Sequence, residues 1–301
     1  MSYREARLLA GFTFSMTANN TQWQCGGRVL DLTGPVVMGV LNVTPDSFSD
    51  GGRFGDRQSA LEHARRMIAD GAAIIDVGGE STRPGASPAD LAQELERVVP
   101  VIETVRRESP VFISVDTSKP EVMRAAVAAG ADIINDVRAL TEPGALEAVA
   151  ATQAGLCLMH MLGEPRTMQA APHYDNVVED VSGFLAARMR ACRDAGVDSA
   201  RLTIDPGFGF GKTAAHNLAL LKNLAALEVL GAPIVVGLSR KSMLAKITGR
   251  TVESRIPGSV ALAAIAVLNG ARIVRAHDVA ATLDAVRVAA AVGKGDQFDG
   301  T

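Results

Sequence analysis

Polar residues follow short apolar runs at recurring places along this chain. They are Asn42, Asp76, Asp116, Asn135 and Asp136, His160, Asp205, the run Ser239-Arg240-Lys241-Ser242, and Arg275 with His277. Carboxylates and an amide can read the edge of a nitrogen heterocycle. Arg, Lys and His can make charge-assisted hydrogen bonds to a phosphate or diphosphate, with Arg acting as a planar fork. Arg275 and His277 stand two residues apart, so on a strand they face the same way. Lys241 and Ser242 open a segment whose first turn, if helical, offers free N–H groups to an anion. This inventory suits transfer by departure of a phosphate ester. The protein then orients the reactants and stabilises charge more than it attacks.

Several other chemistries are excluded. Asp205-Pro206-Gly207-Phe208-Gly209-Phe210-Gly211-Lys212 has the look of a phosphate loop, but that pattern needs Gly where Pro206 stands. A dinucleotide fingerprint would need Gly where Lys212 stands. The glycines instead let backbone approach a flat ligand, with Asp205 as an acceptor beneath it. No nucleophile elbow and no His/Cys cluster for zinc is present, and Lys241 follows a strand instead of lying within one. Structural readings compete at some positions. Asp116 can cap a helix, although Thr117 or Ser118 can do so in its place, and one of Asn135 and Asp136 is expected to be structural. His63, His173 and His216 are read as surface residues.

The elements that must carry these tips alternate. Apolar or β-branched runs at 36–41, 73–77, 111–115, 131–134, 155–159, 202–204, 234–238 and 272–275 are each too short for an ordinary helix and read as strands buried on both faces. Between them lie helical spacings: Gln58 to Asp70, a segment opened by Ser87-Pro88, another opened by Lys119-Pro120, and 144–154, 177–195, 214–230, 253–269 and 279–292. Gly71, Gly130, Gly155, Gly196, Gly231 and Gly270 stand where C-caps are needed. Eight strands alternating with eight helices predict a parallel sheet closed into a (β/α)8 TIM barrel, in one domain with a short N-terminal extension. Residues 1–28 are read as a variable lead-in with a hairpin around Cys25-Gly26-Gly27, 29–295 as the barrel, and 296–301 as a tail. In such a barrel a polar residue at the carboxyl end of a strand points into the catalytic mouth.

The formal net charge of −3 over 301 residues gives no support to a nucleic-acid or anionic-membrane surface. Cys25, Cys157 and Cys192 are odd in number and far apart, which fits free thiols in a reducing cytosol and neither a disulfide framework nor a metal site. No secretory signal and no membrane-length apolar run is seen, so a cytoplasmic location is expected.

Met38-Gly39-Val40-Leu41-Asn42-Val43-Thr44-Pro45-Asp46-Ser47-Phe48-Ser49-Asp50-Gly51-Gly52 and Asp76-Val77-Gly78-Gly79-Glu80-Ser81-Thr82-Arg83-Pro84-Gly85 resemble the two opening signatures of the dihydropteroate synthases. The likeness continues in order, over about residues 29–293, around Asp116, Asn135, Met159-His160-Met161, Asp205 to Lys212, Ser239 to Met243 and Arg275 to Asp278. It implies condensation of a hydroxymethyl-dihydropterin diphosphate with p-aminobenzoate, by departure of diphosphate, formation of a pterin cation and attack by the amine. It further implies a pterin pocket of Asp116, Asn135, Met159, Asp205, Gly209, Phe210, Lys241 and Arg275, with Asp116 and Lys241 catalytic. Asn42, Thr82, Arg275 and His277 would hold the diphosphate, and Asn42 would bind Mg²⁺. Phe48, Thr82, Arg83, Pro84, Lys241 and Ser242 would meet p-aminobenzoate, with the loops 43–56 and 79–88 acting as lids. Homodimerisation is implied by the resemblance alone. Two rival readings are a pterin-binding module without synthase activity, as in corrinoid methyltransferases, and an aldolase-type phosphate barrel. The first has no need of Phe48, Thr82-Arg83-Pro84 or Lys241-Ser242, and the second would want a lysine within a strand.

Overall fold

The computed structural model describes residues 21–44, 52–80 and 89–295. The eight expected runs are strands: β3 (Val36–Asn42), β4 (Ile74–Gly78), β5 (Phe112–Asp116), β6 (Ile133–Asp136), β7 (Gly155–Met159), β8 (Leu202–Asp205), β9 (Ile234–Gly237) and β10 (Ala271–Ala276). They pair in parallel in chain order, and β10 pairs with both β9 and β3 to close the barrel. Helices lie between them: α1 (Gly52–Ala69), α2 (Leu91–Glu108), α3 (Pro120–Ala128), α4 (Ala145–Ala150), α5 (Val177–Asp194), α6 (Ala214–Lys222), α7 (Ser242–Thr248), α8 (Ile256–Leu268) and α9 (Val279–Lys294). One apolar core runs between the outer faces of the strands and the helices, including Leu41, Ile75, Val115, Leu158 and Val236. No helix among the described residues is long and apolar enough to cross a membrane.

The lower mouth is sealed by a hairpin, β1 (Gln22–Cys25) and β2 (Arg28–Asp31). Trp23, Cys25, Leu30 and Leu32 are buried against Met38, Ile74, Ile133, Cys157, Val235 and Ile273. The Trp23 indole Nε1 donates to the carbonyl of Arg201 at 2.8 Å, satisfying its one polar atom. The hairpin crosses residue 28, so the part of the lead-in from residue 22 onward belongs to the barrel's floor.

Some local expectations are corrected. The helix expected to open at Ser87-Pro88 begins at Leu91, because Asp90 is its N-cap and closes a capping box with Gln93. Gly155 is not a C-cap. The preceding helix ends at Ala150 with Ala151 as cap, and Gly155 opens β7 against Trp23 and Cys25, where a Cβ would lie 2.7 Å from the Cys25 sulfur. The expected helix over 214–230 breaks at Asn223, whose side-chain amide donates to the Ala219 carbonyl, and continues as a 3-10 turn, Leu224–Leu230. The helix over 253–269 likewise divides into a 3-10 turn, Val252–Ser254, and α8. His216 is no free surface residue: its Nδ1 accepts from the Thr213 backbone and its ring meets Tyr174 edge-on at 5.0 Å. His63 is half-buried as well, and only His173 is exposed.

Candidate active site

The strand tips converge on Arg275. From β10 its guanidinium reaches past β3, donating from Nε to Asp76 Oδ2 at 2.6 Å and from Nη2 to Asp116 Oδ2 at 2.7 Å. Asp76 Oδ2 also accepts from the Asn135 amide at 3.3 Å. In register, Asp76 stands opposite Ser114, and Asp116 opposite both Gly78 and Asn135, so these side chains share the barrel's interior. Asp76 Oδ1 and Ser114 Oγ are buried and meet no hydrogen-bond partner among the described residues. Buried polar atoms are almost always paired, so an arrangement that withholds partners here keeps hydrogen-bonding capacity in reserve.

The next wall is the loop after β8. Asp205 Oδ1 accepts from the Gly207 backbone at 2.7 Å, which fixes the plane of its carboxylate. Gly209 has φ +82°, where a side chain would be strained, and a Cβ there would crowd the Lys241 side chain at 3.1 Å, so the glycine lets that lysine lie close across the loop. Lys241 Nζ then sits 4.4 Å from the centroid of the Phe210 ring, a cation–π distance. Phe210 and Met159 are buried in one small apolar cluster with Val137 and Met168. A flat apolar surface thus borders a rim of carboxylates, an amide and two cations.

Burial dominates the electrostatics. The Asp116 carboxyl is pushed up to about 7, by burial first, with Arg275 pulling it down and Asp76, Asp136 and Glu94 pushing it up. Asp205 is raised as well, by burial, against the Gly207 N–H and the charge of Lys241. Lys241 falls to about 8, through burial and the neighbouring charge of Arg275. Burial would lower Arg275, but Asp76 and Asp116 outweigh it and hold the guanidinium above its ordinary range. His277 is lowered to about 4 by burial and then by Arg275 and Arg240. Its Nδ1 lies 3.0 Å from Ser239 Oγ. A cluster of groups displaced from their ordinary values inside a concave mouth is the signature of a functional site.

A family model described as pterin binding enzyme matches residues 38–277. The chain is 52% identical over 262 residues to the dihydropteroate synthase of Escherichia coli strain K12, covering 87% of this chain and 93% of that one. The chain belongs to the dihydropteroate synthase family of pterin-binding enzymes. A solved dihydropteroate synthase of Xanthomonas albilineans with 4-aminobenzoic acid superposes with a TM-score of 0.86 at 52% identity, covering 91% of this chain and 98% of that one. The same bacterium's dihydropteroate synthase in complex with 7,8-dihydropteroate gives a TM-score of 0.83 at 50% identity, with coverage of 90% and 98%.

The structure places most of the residues expected from the family at the mouth in two contact sets, Asp116 and Asn135 with Arg275, and Gly209, Phe210 and Met159 with Lys241, and the charge of Lys241 feels Arg275, Asp205 and Asp116 across the gap between them. Asn42 ends β3 beside Gly78, where a Cβ would lie 3.8 Å from its amide oxygen. Ser242 is the first residue of α7 and is exposed. Phe48, Thr82, Arg83 and Pro84 lie outside the described residues. The helix-capping alternative for Asp116 fails, since Asp116 bonds to Arg275 and the cap position belongs to Lys119. Asp136 is the structural member of its pair, accepting from Ser118 Oγ and from the backbones of Arg138 and Leu140. Sequence reasoning gave no role to Asp76, although it stood at a strand tip. It also missed the apolar wall of Val137 and Met168 and the contact between His160 and Lys212. The one available signal for Asp76 was a carboxylate inside a strand whose other residues are apolar or glycine.

Proposed function

We propose that this chain condenses 6-hydroxymethyl-7,8-dihydropterin diphosphate with p-aminobenzoate, giving 7,8-dihydropteroate and diphosphate. The observation that carries the reading is Arg275 held between Asp76 and Asp116 at the mouth of the barrel, beside the Lys241–Phe210 wall. Asp205 accepts from the amino and ring N–H groups of the pterin, and Asn135 with Lys241 completes its edge. Phe210 and Met159 face the ring. Arg275, His277 and Thr82 hold the diphosphate. The bond from the pterin methylene to oxygen breaks and its electron pair leaves with the diphosphate. The resulting cation is stabilised by the Asp116 carboxylate. The amine lone pair then closes the new C–N bond, and the nitrogen gives up its proton to the departed diphosphate or to water. Phe48, Thr82, Arg83, Pro84, Lys241 and Ser242 receive p-aminobenzoate, and the loops 43–56 and 79–88 shield it.

Mg²⁺ takes few protein ligands when phosphates supply the remaining oxygens, and the neutral amide oxygen of Asn42 at the mouth fits that demand. Asn42 would hold the ion, which when bound neutralises charge on the departing diphosphate. A homodimer is supported by Ile265 of α8 and by Val288 and Val292 of α9, which remain exposed at 43%, 64% and 65%. A reducing cytoplasm is supported by three buried free cysteines. The test is a coupled assay of diphosphate release with and without p-aminobenzoate. Release that depends on the amine is expected. Pterin binding without amine-dependent release would favour a binding module and overturn the synthase reading.

A further inference from the structure

Lys212 takes no part in the chemistry proposed above, yet it is 3% exposed and well placed beneath the pterin wall. Its Nζ donates to the carbonyls of Gly207 at 3.0 Å and Phe210 at 3.1 Å, and lies 2.9 Å from His160 Nδ1. No carboxylate is among these partners. Burial lowers Lys212 to about 7, opposed by the charge of Asp205 and helped by that of Lys241. His160 is lowered to about 3 by burial and then by Lys212, so its ring is neutral, and with its proton on Nε2 it offers the Nδ1 lone pair to Lys212 Nζ. The imidazole is itself packed edge-on against Phe184 at 5.0 Å.

The clamp has a target. Gly207 and Phe210 bracket the turn that shapes the pterin wall, and Gly207 N–H is the group that orients Asp205. At Gly207, φ +68°, a Cβ would fall 1.8 Å from the His160 carbonyl, so the turn is pressed onto the end of β7 with no room to shift inward. Other side chains claim the neighbouring carbonyls: Gln169 donates to Gly209, and Tyr174 to Gly211 at 2.9 Å. Asn217 accepts from the Gly209 N–H at 2.8 Å. The turn's own Phe210 N–H donates to the Gly207 carbonyl at 3.1 Å, and of the side-chain donors named here Lys212 alone reaches both end carbonyls, reinforcing the tie between Asp205 at one end and the Phe210–Lys241 stack at the other.

We infer that Lys212, seated on His160, is a positioning residue for the pterin half of the reaction: it fixes the turn 207–210 so that Asp205 and Phe210 hold their places together. The inference rests on the synthase reading. Calorimetry with the pterin diphosphate alone separates the two, because binding can be measured whether or not the amine is condensed. The test compares wild type with Lys212→Met, which keeps the length and apolar stem but donates nothing. The KM for the pterin ester is expected to rise by about tenfold to a hundredfold, the scale of a misplacement near 1 Å, while the KM for p-aminobenzoate stays within about twofold. Calorimetry should show the same loss for the pterin ester. His160→Phe keeps the ring packing and removes one acceptor; it should give a smaller loss, about threefold, of the same selective kind. Unchanged pterin affinity in Lys212→Met overturns the inference, and so do equal losses for both substrates. If Lys212→Met does not fold, His160→Phe decides: a selective pterin loss supports the clamp, and wild-type pterin affinity overturns it.

Discussion

Two arginine–aspartate centres of the barrel, one at the floor around Asp132 and one at the mouth around Arg275, are built to opposite rules. At the floor, Asp132 accepts from Arg28 Nη2 at 2.8 Å and Nε at 3.2 Å, from Arg106, and from the Ile113 backbone at 2.9 Å. Further guanidinium N–H groups of Arg28 go to the carbonyls of Pro110 and Val111, and of Arg106 to those of Gly130 and Ser109. At the mouth, Arg275 bridges Asp76 and Asp116 while Asp76 Oδ1 has no hydrogen-bond partner among the described residues, and Asp116 is pushed up to about 7 by burial. The floor centre has spent its hydrogen bonds on holding elements together, whereas the mouth keeps strained electrostatics and spare acceptors for a ligand.

The sharpest break in this comparison is Arg275→Ala. It leaves two facing carboxylates in the barrel without their cation, which costs about 3–5 kcal/mol of folding stability for a buried pair, and it takes from the diphosphate a charge-assisted donor of about 1.5–3 kcal/mol, roughly tenfold to a hundredfold in affinity. Calorimetry should place that loss on the pterin diphosphate and much less on p-aminobenzoate; equal losses would remove Arg275 from the diphosphate subsite. Asp205→Asn comes next. It replaces one acceptor oxygen by a donor facing donors, so pterin affinity should fall by about 3 kcal/mol with the amine subsite unaffected, and unchanged affinity would end that role. Asp132→Asn at the floor should act in the opposite sense. Stability falls by about 2 kcal/mol, which lowers the melting temperature by roughly 5 °C, and both KM values stay at wild type. A change in either KM would show that the floor is coupled to the site.

The mouth was legible in the sequence where function depends on which strand end a residue occupies. Alternation of short apolar runs and helical spacings gave the barrel, and Gly155–Met159 is a strand at the boundaries read from it. Partners across the barrel were not legible. Asp76 meets Asn135 and Arg275, which are 59 and 199 residues away, and His160 meets Lys212 across 52. Spacing tells which way a strand residue faces but not which distant side chain faces it. The floor was hidden for the same reason: a hairpin around Cys25-Gly26-Gly27 could be read from its glycines, but its role depends on Trp23 reaching Arg201, 178 residues on. Helix starts were misplaced where two capping residues competed, as Ser87 did with Asp90, since the capping box formed by Asp90 and Gln93 fixed the start.

The smallest predicted effect separates the two centres by proton linkage. The folded chain keeps a proton on Asp116 up to about 7, while the unfolded chain loses it near 3.8. This group's contribution to stability is therefore fully present below 3.8 and is lost as the pH rises through about 7. Activity runs the other way, because the carboxylate that stabilises a cation must be ionised. Lys241 falls to about 8 from 10.5, so the folded chain releases a proton that the unfolded chain still holds. Its cation is lost above about 8, and with it part of the hold on the pterin. The pH profile of kcat/KM for the pterin ester should be a narrow bell, with limbs near 7 and 8 that belong to the free enzyme. Asp116→Asn should erase the acid limb and leave a low plateau. Asp132→Asn should leave both limbs where they are, since its partners hold structure and take no part in the bell. A floor substitution that moved either limb would mean that the two centres share one electrostatic network, and the division between them would have to be given up.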